Sequence, residues 1–206
     1  LISGETVIIP VQIDFYLDFI SPFGFLARHG LAQIATRHAL EITYHPVDIG
    51  QIKRASGNTG PSNRDIPSKF NYLTEDVARW AKRYQLPMVR YLPGPNTRRL
   101  NKGLFQARDE NRAGEYVEHA WNCVWRDGLD PGLEQTLVEV AGRMQWQVKE
   151  FIDFIENPVS EQRFNAEINL ATQKGVFGVP TYCINDQMWW GNDRLDFVEQ
   201  YLEALH

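Results

Sequence analysis

The chain has 206 residues, 43% of them hydrophobic, and its 21 Lys and Arg against 26 Asp and Glu give a net charge of −5. That is enough apolar material for one large domain, or for one domain carrying a big insertion. A mild acidic balance with no basic stripe argues against nucleic acid and anionic membrane as partners, and no apolar run is long enough for a membrane span.

Residues 1–10 read as a loose lead-in. The first twenty residues lack a basic start followed by an apolar core, so a cytoplasmic location is expected. Residues 13–20 (IDFYLDFI) read as a buried strand interrupted by Asp14 and Asp18. It stops at Ser21-Pro22-Phe23-Gly24, after which Phe23, Leu26, Ala27, Leu31, Ile34 and Ala35 recur with a helical period. A second strand is expected over 41–47. Strand, helix and strand in such a short stretch imply a parallel pair joined by a crossover.

Residues 54–68 are rich in Ser, Gly, Asn and Pro and read as loop. From Thr74, taken as an N-cap, to Lys174 nearly everything reads helical, with further segments near 98–112, 115–126, 133–143, 147–156 and 159–174. Gly175 falls where a left-handed cap belongs. Val117, Trp121, Val124 and Trp125 form a stripe expected to be the core of this helical part. Two β-rich runs, 180–184 and 187–190, flank Asn185-Asp186, a tight-hairpin signal. A last helix opens near Asn192-Asp193 with Leu195, Val198, Leu202 and Leu205 on one face.

The order β-α-β, helical insert, β-β-α predicts an α/β fold: a thioredoxin-like domain split by a large all-helical insertion. The expected boundaries are 11–52 and 175–206 for the thioredoxin-like domain and 53–174 for the insertion. In such a fold a reactive cysteine normally stands where this chain has Ser21, and Gly24 holds the second redox position, so disulfide chemistry is excluded there. Cys123 and Cys183 form no C-x-x-C motif, which points to a reducing compartment and to two small buried apolar residues. His119 and Cys123 give half of a metal-site spacing with no second half, and no zinc site is expected.

Ser21-Pro22 has two readings: an ordinary helix cap with Pro at the first position, or a hydroxyl aimed at a bound thiolate. Val179-Pro180 is either the edge-strand start that tolerates proline or a cis peptide facing the first helix, presenting Val179's backbone to an extended peptide. Trp190, Gly191, Asn192 and Asp193 are either strand end and cap, or a grip for an amino-acid head group. Lys53, Asn63, Arg64, Arg98 and Arg99 border the long loop and the insert. They are solvated surface or, near a site at the junction, a clamp for a carboxylate.

The segments Asp14-Phe15-Tyr16 through Ser21-Pro22, Gly60-Pro61-Ser62-Asn63-Arg64-Asp65, Arg79-Trp80-Ala81, Asn96-Thr97-Arg98-Arg99, Val176 through Thr181 and Met188 through Leu195 resemble the 2-hydroxychromene-2-carboxylate isomerases. These are glutathione-dependent enzymes of naphthalene-type aromatic breakdown, related to kappa-class glutathione transferases and DsbA-like proteins. The resemblance implies that Ser21 is catalytic and holds the glutathione sulfur. Val179 and Pro180 would meet the tripeptide backbone, and Trp190, Gly191, Asn192 and Asp193 its γ-glutamyl end. Lys53, Asn63 and Arg64 would bind an aromatic keto acid, and the protein would be a homodimer. The family pattern places an aromatic residue just before Asn96, where this chain has Pro95; Tyr91 is another ring in that loop. A kappa-like transferase and a non-catalytic peptide-binding scaffold are the alternative functions.

Overall fold

The computed structural model describes residues 11–89 and 96–205. Four strands, β1 (Ile13–Leu17), β2 (Ile42–Pro46), β3 (Thr181–Ile184) and β4 (Gln187–Trp190), form one mixed sheet in the order β2-β1-β3-β4. β1 and β2 run parallel with Phe15 opposite Tyr44, whereas β3 is antiparallel to both neighbours, with Thr181 between Tyr16 and Trp190. The C-terminal ends of β1, β2 and β4 and the start of β3 therefore meet at one end of the sheet.

Nine helices of the described residues surround it: α1 (Pro22–Arg37), α2 (Ile49–Ala55), α3 (Pro67–Tyr84), α4 (Arg98–Asp109), α5 (Ala113–Trp121), α6 (Glu134–Arg143), α7 (Val148–Glu156), α8 (Pro158–Gln173) and α9 (Leu195–Glu203). α5 runs on into a π-helical turn over Asn122–Arg126. No helix among them is long and apolar enough to cross a membrane.

The two-residue period of β1 sorts its side chains onto opposite faces. Ile13, Phe15 and Leu17 join a large apolar core with α1, α9 and most of the inserted helices, including the expected stripe Val117, Trp121, Val124 and Trp125. Tyr16, on the other face, packs with Ile52 of α2 and Phe164, Ile168 and Ala171 of α8 in a smaller cluster.

Three elements differ from the sequence expectation. β1 stops at Leu17, because Asp18 turns the chain by accepting the Ile20 N–H at 3.3 Å. α2, for which no helix was expected, precedes the expected loop and overlaps its first two residues; it is capped by Asp48, whose carboxylate accepts the Gln51 N–H at 2.9 Å, and the expected 52/53 boundary lies inside it. α3 begins at Pro67, a residue suited to the first helical position, and Thr74 lies inside the helix with its hydroxyl donating to the Phe70 carbonyl. Gly175 does take the left-handed conformation, at φ 86°.

Candidate active site

Ser21 caps α1, its backbone extended at φ −82° and ψ 113°, with Pro22 at the first helical position. Its Oγ accepts the Gly24 N–H at 3.0 Å. A hydroxyl has one proton to donate, and that of Ser21 has no acceptor among the described residues. The side chain is 6% exposed and stands at the positive end of α1. An anion placed there would meet a free O–H and the Phe23 N–H, since Pro22 has no N–H and those of Gly24 and Phe25 are taken by Ser21.

Gly24 shows why the second redox position is closed. A Cβ there would lie 2.8 Å from Cζ2 of Trp121, the fully buried indole that α5 packs against the mouth of α1. The two cysteines lie elsewhere, both buried and unbonded. Burial pushes the Cys123 thiol up to about 12 and that of Cys183 to about 11, so neither is a thiolate near neutral pH.

The Val179–Pro180 peptide is cis, and it leads into β3, opposite the end of β1. Among the described residues neither the N–H nor the C=O of Val179 has a hydrogen-bond partner. Beside it, the Gly191 N–H donates to the Pro180 carbonyl at 2.9 Å, tying the end of β4 to the same loop. Gly191 has φ 113°, and a Cβ there would sit 2.6 Å from Asp193 Oδ1, so only glycine fits the turn. Trp190 is half exposed and packs edge-on against Phe177, centroids 5.1 Å apart. Asp193 lies on the surface and pairs with Arg194 at 2.8 Å.

Asn192 is the anomaly of this cluster. It is 3% exposed, yet both its amide nitrogen and its amide oxygen lack a partner. A buried amide with an open donor and an open acceptor is costly unless a ligand completes it. One donor and one acceptor side by side suit a zwitterionic amino-acid end, which offers both a carboxylate and an ammonium.

The carboxylate-clamp candidates divide. Arg98 is committed to Glu161, Asn165 and Asp48, and its guanidinium lies 4.9 Å over the Phe164 ring. Arg99 pairs with Glu156 at 2.6 Å and Glu134 at 3.6 Å. Both guanidinium groups thus already face acidic partners. Lys53, on α2, has no ion-pair partner among the described residues. Asn63 and Arg64 occupy an exposed 3-10 turn that Ser62 and Asp65 hold by reciprocal capping, and neither side chain hydrogen-bonds to Ser21 or to the 179–193 cluster. Tyr91 and Pro95 lie outside the described residues.

Sequence reasoning missed what holds the Ser21 turn. Asp18 is buried, and its Oδ1 accepts the Ile20 N–H, the Thr97 hydroxyl at 2.5 Å and the Asn101 amide at 3.0 Å. Its Oδ2 accepts the Ile49 N–H at 3.0 Å. Asn101 also accepts the Phe19 N–H at 3.3 Å, and Trp125 Nε1 donates to the Phe19 carbonyl at 3.0 Å. Burial raises the Asp18 carboxyl above its ordinary range, and the four donors work against that rise. The sequence signal was an acid ending an apolar strand; its partners on α4 lie some eighty positions away.

Comparison with known proteins agrees with this geometry. The family model of the DSBA-like thioredoxin domain matches residues 12–203. A 2-hydroxychromene-2-carboxylate isomerase of Pseudomonas sp. (strain C18) is 41% identical over 189 residues, covering 92% of this chain and 89% of that protein. A solved 2-hydroxychromene-2-carboxylate isomerase structure superposes with a TM-score of 0.90 at 39% identity, over 94% of this chain and 95% of the other. A kappa-class glutathione S-transferase of Caenorhabditis elegans is 23% identical over 93% of this chain and 91% of its own length. The free hydroxyl at the mouth of α1, the cis loop at the same end of the sheet and these likenesses converge: the chain belongs to the 2-hydroxychromene-2-carboxylate isomerase family, enzymes built on the DSBA-like thioredoxin domain.

Proposed function

We propose that this enzyme interconverts 2-hydroxychromene-2-carboxylate and trans-o-hydroxybenzylidenepyruvate, or a close aromatic keto acid, with glutathione held at Ser21. The observation that carries the reading is the Ser21 hydroxyl, whose oxygen is engaged by Gly24 while its proton is uncommitted, at the N-terminus of α1. The open amide of Asn192 and the unpaired backbone of Val179 fit the tripeptide's amino-acid end and its extended backbone. When bound, glutathione supplies a thiolate whose transient addition turns the conjugated double bond into a single bond that can rotate.

The residues of the chain do the rest. A free thiol has a pKa of about 8.5, and a helix N-terminus lowers it by favouring the anion. Ser21 donates its proton in a charge-assisted hydrogen bond to that anion and remains a hydroxyl throughout. Lys53 and Arg64 hold the carboxylate of the keto acid and stabilise the negative charge that develops on its keto oxygen. Asn63 lines the same side. Homodimer formation and a cytoplasmic role in aromatic hydrocarbon breakdown belong to the same reading.

The test is Ser21→Ala. Turnover should fall about 10- to 100-fold, the worth of one hydrogen bond to a charged group, while glutathione still binds by calorimetry. Unchanged turnover would remove Ser21 from the mechanism. Stoichiometric consumption of glutathione by the wild-type enzyme, with a lasting conjugate, would make it a kappa-like transferase instead. Absence of glutathione binding would leave only a peptide-binding scaffold.

A further inference from the structure

Asp18 stands where three parts of the molecule meet: the turn that presents Ser21, the start of α2 and the N-terminal end of α4. Its two oxygens are not used alike. Oδ1 takes three donors, from Ile20, Thr97 and Asn101, whereas Oδ2 takes only the Ile49 N–H. Ile49 is the first residue of α2, and Lys53 follows one helical turn later on the same side. A helix of seven residues does not hold its own position in water. The Asp48 cap serves Gln51 and leaves the Ile49 N–H to Asp18.

We propose that Asp18 is a positioning residue for the carboxylate grip, its Oδ2 fixing where α2, and with it Lys53, stands relative to the Ser21 turn. The inference rests on the roles given above to Ser21 and Lys53. Asp18→Asn separates the two functions of the carboxylate. The amide oxygen keeps the Oδ1 place, where three donors need it, and the amide nitrogen then opposes the Ile49 N–H, donor against donor. Ile49→Pro deletes the same link from the other side. Proline suits the first position of a helix, and Asp48, at φ −95° and ψ 108°, already has the extended backbone required before it.

The experiment measures two equilibrium dissociation constants by calorimetry in each variant. One ligand is glutathione; the other is the saturated o-hydroxyphenyl keto acid, which has no double bond to isomerise. Both Asp18→Asn and Ile49→Pro should weaken the keto acid about tenfold, the scale of one lost contact to a charged group, and change glutathione affinity less than twofold. In a Lys53→Met background the same changes should add nothing further to the keto-acid constant. A purely structural Asp18 would weaken both ligands together, or multiply with Lys53→Met, and either result overturns the inference. If Asp18→Asn does not fold, Ile49→Pro decides alone. Lys53→Met with full keto-acid affinity would instead remove Lys53 from the site, sinking that part of the functional reading and the inference with it. Wild type that binds no glutathione would sink the functional reading first.

Discussion

The two faces of the sheet solve burial in different ways. On the α1 and α9 face, Phe15 stacks on Tyr182 with ring centroids 5.4 Å apart and meets Trp121 at 6.0 Å, in a continuous apolar core. On the α8 face a small apolar cluster is bordered by charge. His45 lies between Asp14 at 3.0 Å and Glu167 at 2.5 Å, Lys174 holds Asp14 at 2.6 Å, and Arg108 holds Glu167 at 2.9 Å. The first face is held chiefly by apolar packing. The second joins α8 to the sheet through groups whose protonation matters, so the same sheet carries a permanent bond on one side and a conditional one on the other.

The largest test of that contrast is Phe15→Ala. It should cost about 3–5 kcal/mol in denaturant unfolding, because the site is fully buried between rings that cannot collapse into the hole. A loss below about 1 kcal/mol would mean that the apolar face is not the main source of stability.

His45→Gln should cost less, about 1–3 kcal/mol, since Lys174 and Arg108 still face the two carboxylates. Its effect should also depend on pH. Burial opposes the imidazolium, but hydrogen bonds and charges from Asp14 and Glu167 raise the His45 pKa overall. A raised pKa stabilises fully below the unfolded value of about 6.5 and ceases to do so as pH climbs through the folded value. The His45 hydrogen bond, aided by Lys174, brings Asp14 down to about 2 against burial, so its share is present above about 3.9 and lost as pH falls toward that lower value. The difference in Tm between wild type and His45→Gln should therefore peak between about pH 4 and 6.5 and shrink on either side. A pH-independent difference would show that the charges contribute nothing beyond packing.

The smallest effect is expected from Lys174→Ala. That ammonium is nearly half exposed and screened, so thermal unfolding should register no more than about 1 kcal/mol. A larger loss would place Lys174 at the centre of the α8 face and not at its rim.

The same division explains what could be read from the sequence. The apolar face announced itself through the apolar run of β1 and the helical periods of α1 and α9, and the Ser21 junction through residue types at a strand-to-helix break. Asn192 stood in the motif, but its unpartnered amide is a property of three-dimensional enclosure. The charged face and the Asp18 anchor were invisible because their members come from distant segments: Asp14 and Glu167 mean little until β1 and α8 are side by side. Arg98 and Arg99, for which surface and clamp were both open readings, show the reverse case. Their positions near the junction suggested a ligand clamp, yet local acids on α6, α7 and α8 and at the start of α2 had already claimed them. The start of α3 was hidden by a stretch whose composition favours loops but whose Pro67 opens a helix.

Trp121 gives this fold a ratchet. With its indole wedged 2.8 Å from where a side chain at Gly24 would begin, introducing a pair of thiols by Ser21→Cys and Gly24→Cys would also require the ring to shift from its place in the core. Two thiols alone would therefore not make a disulfide-exchange site here, because the indole and the helices that shelter it would have to move as well.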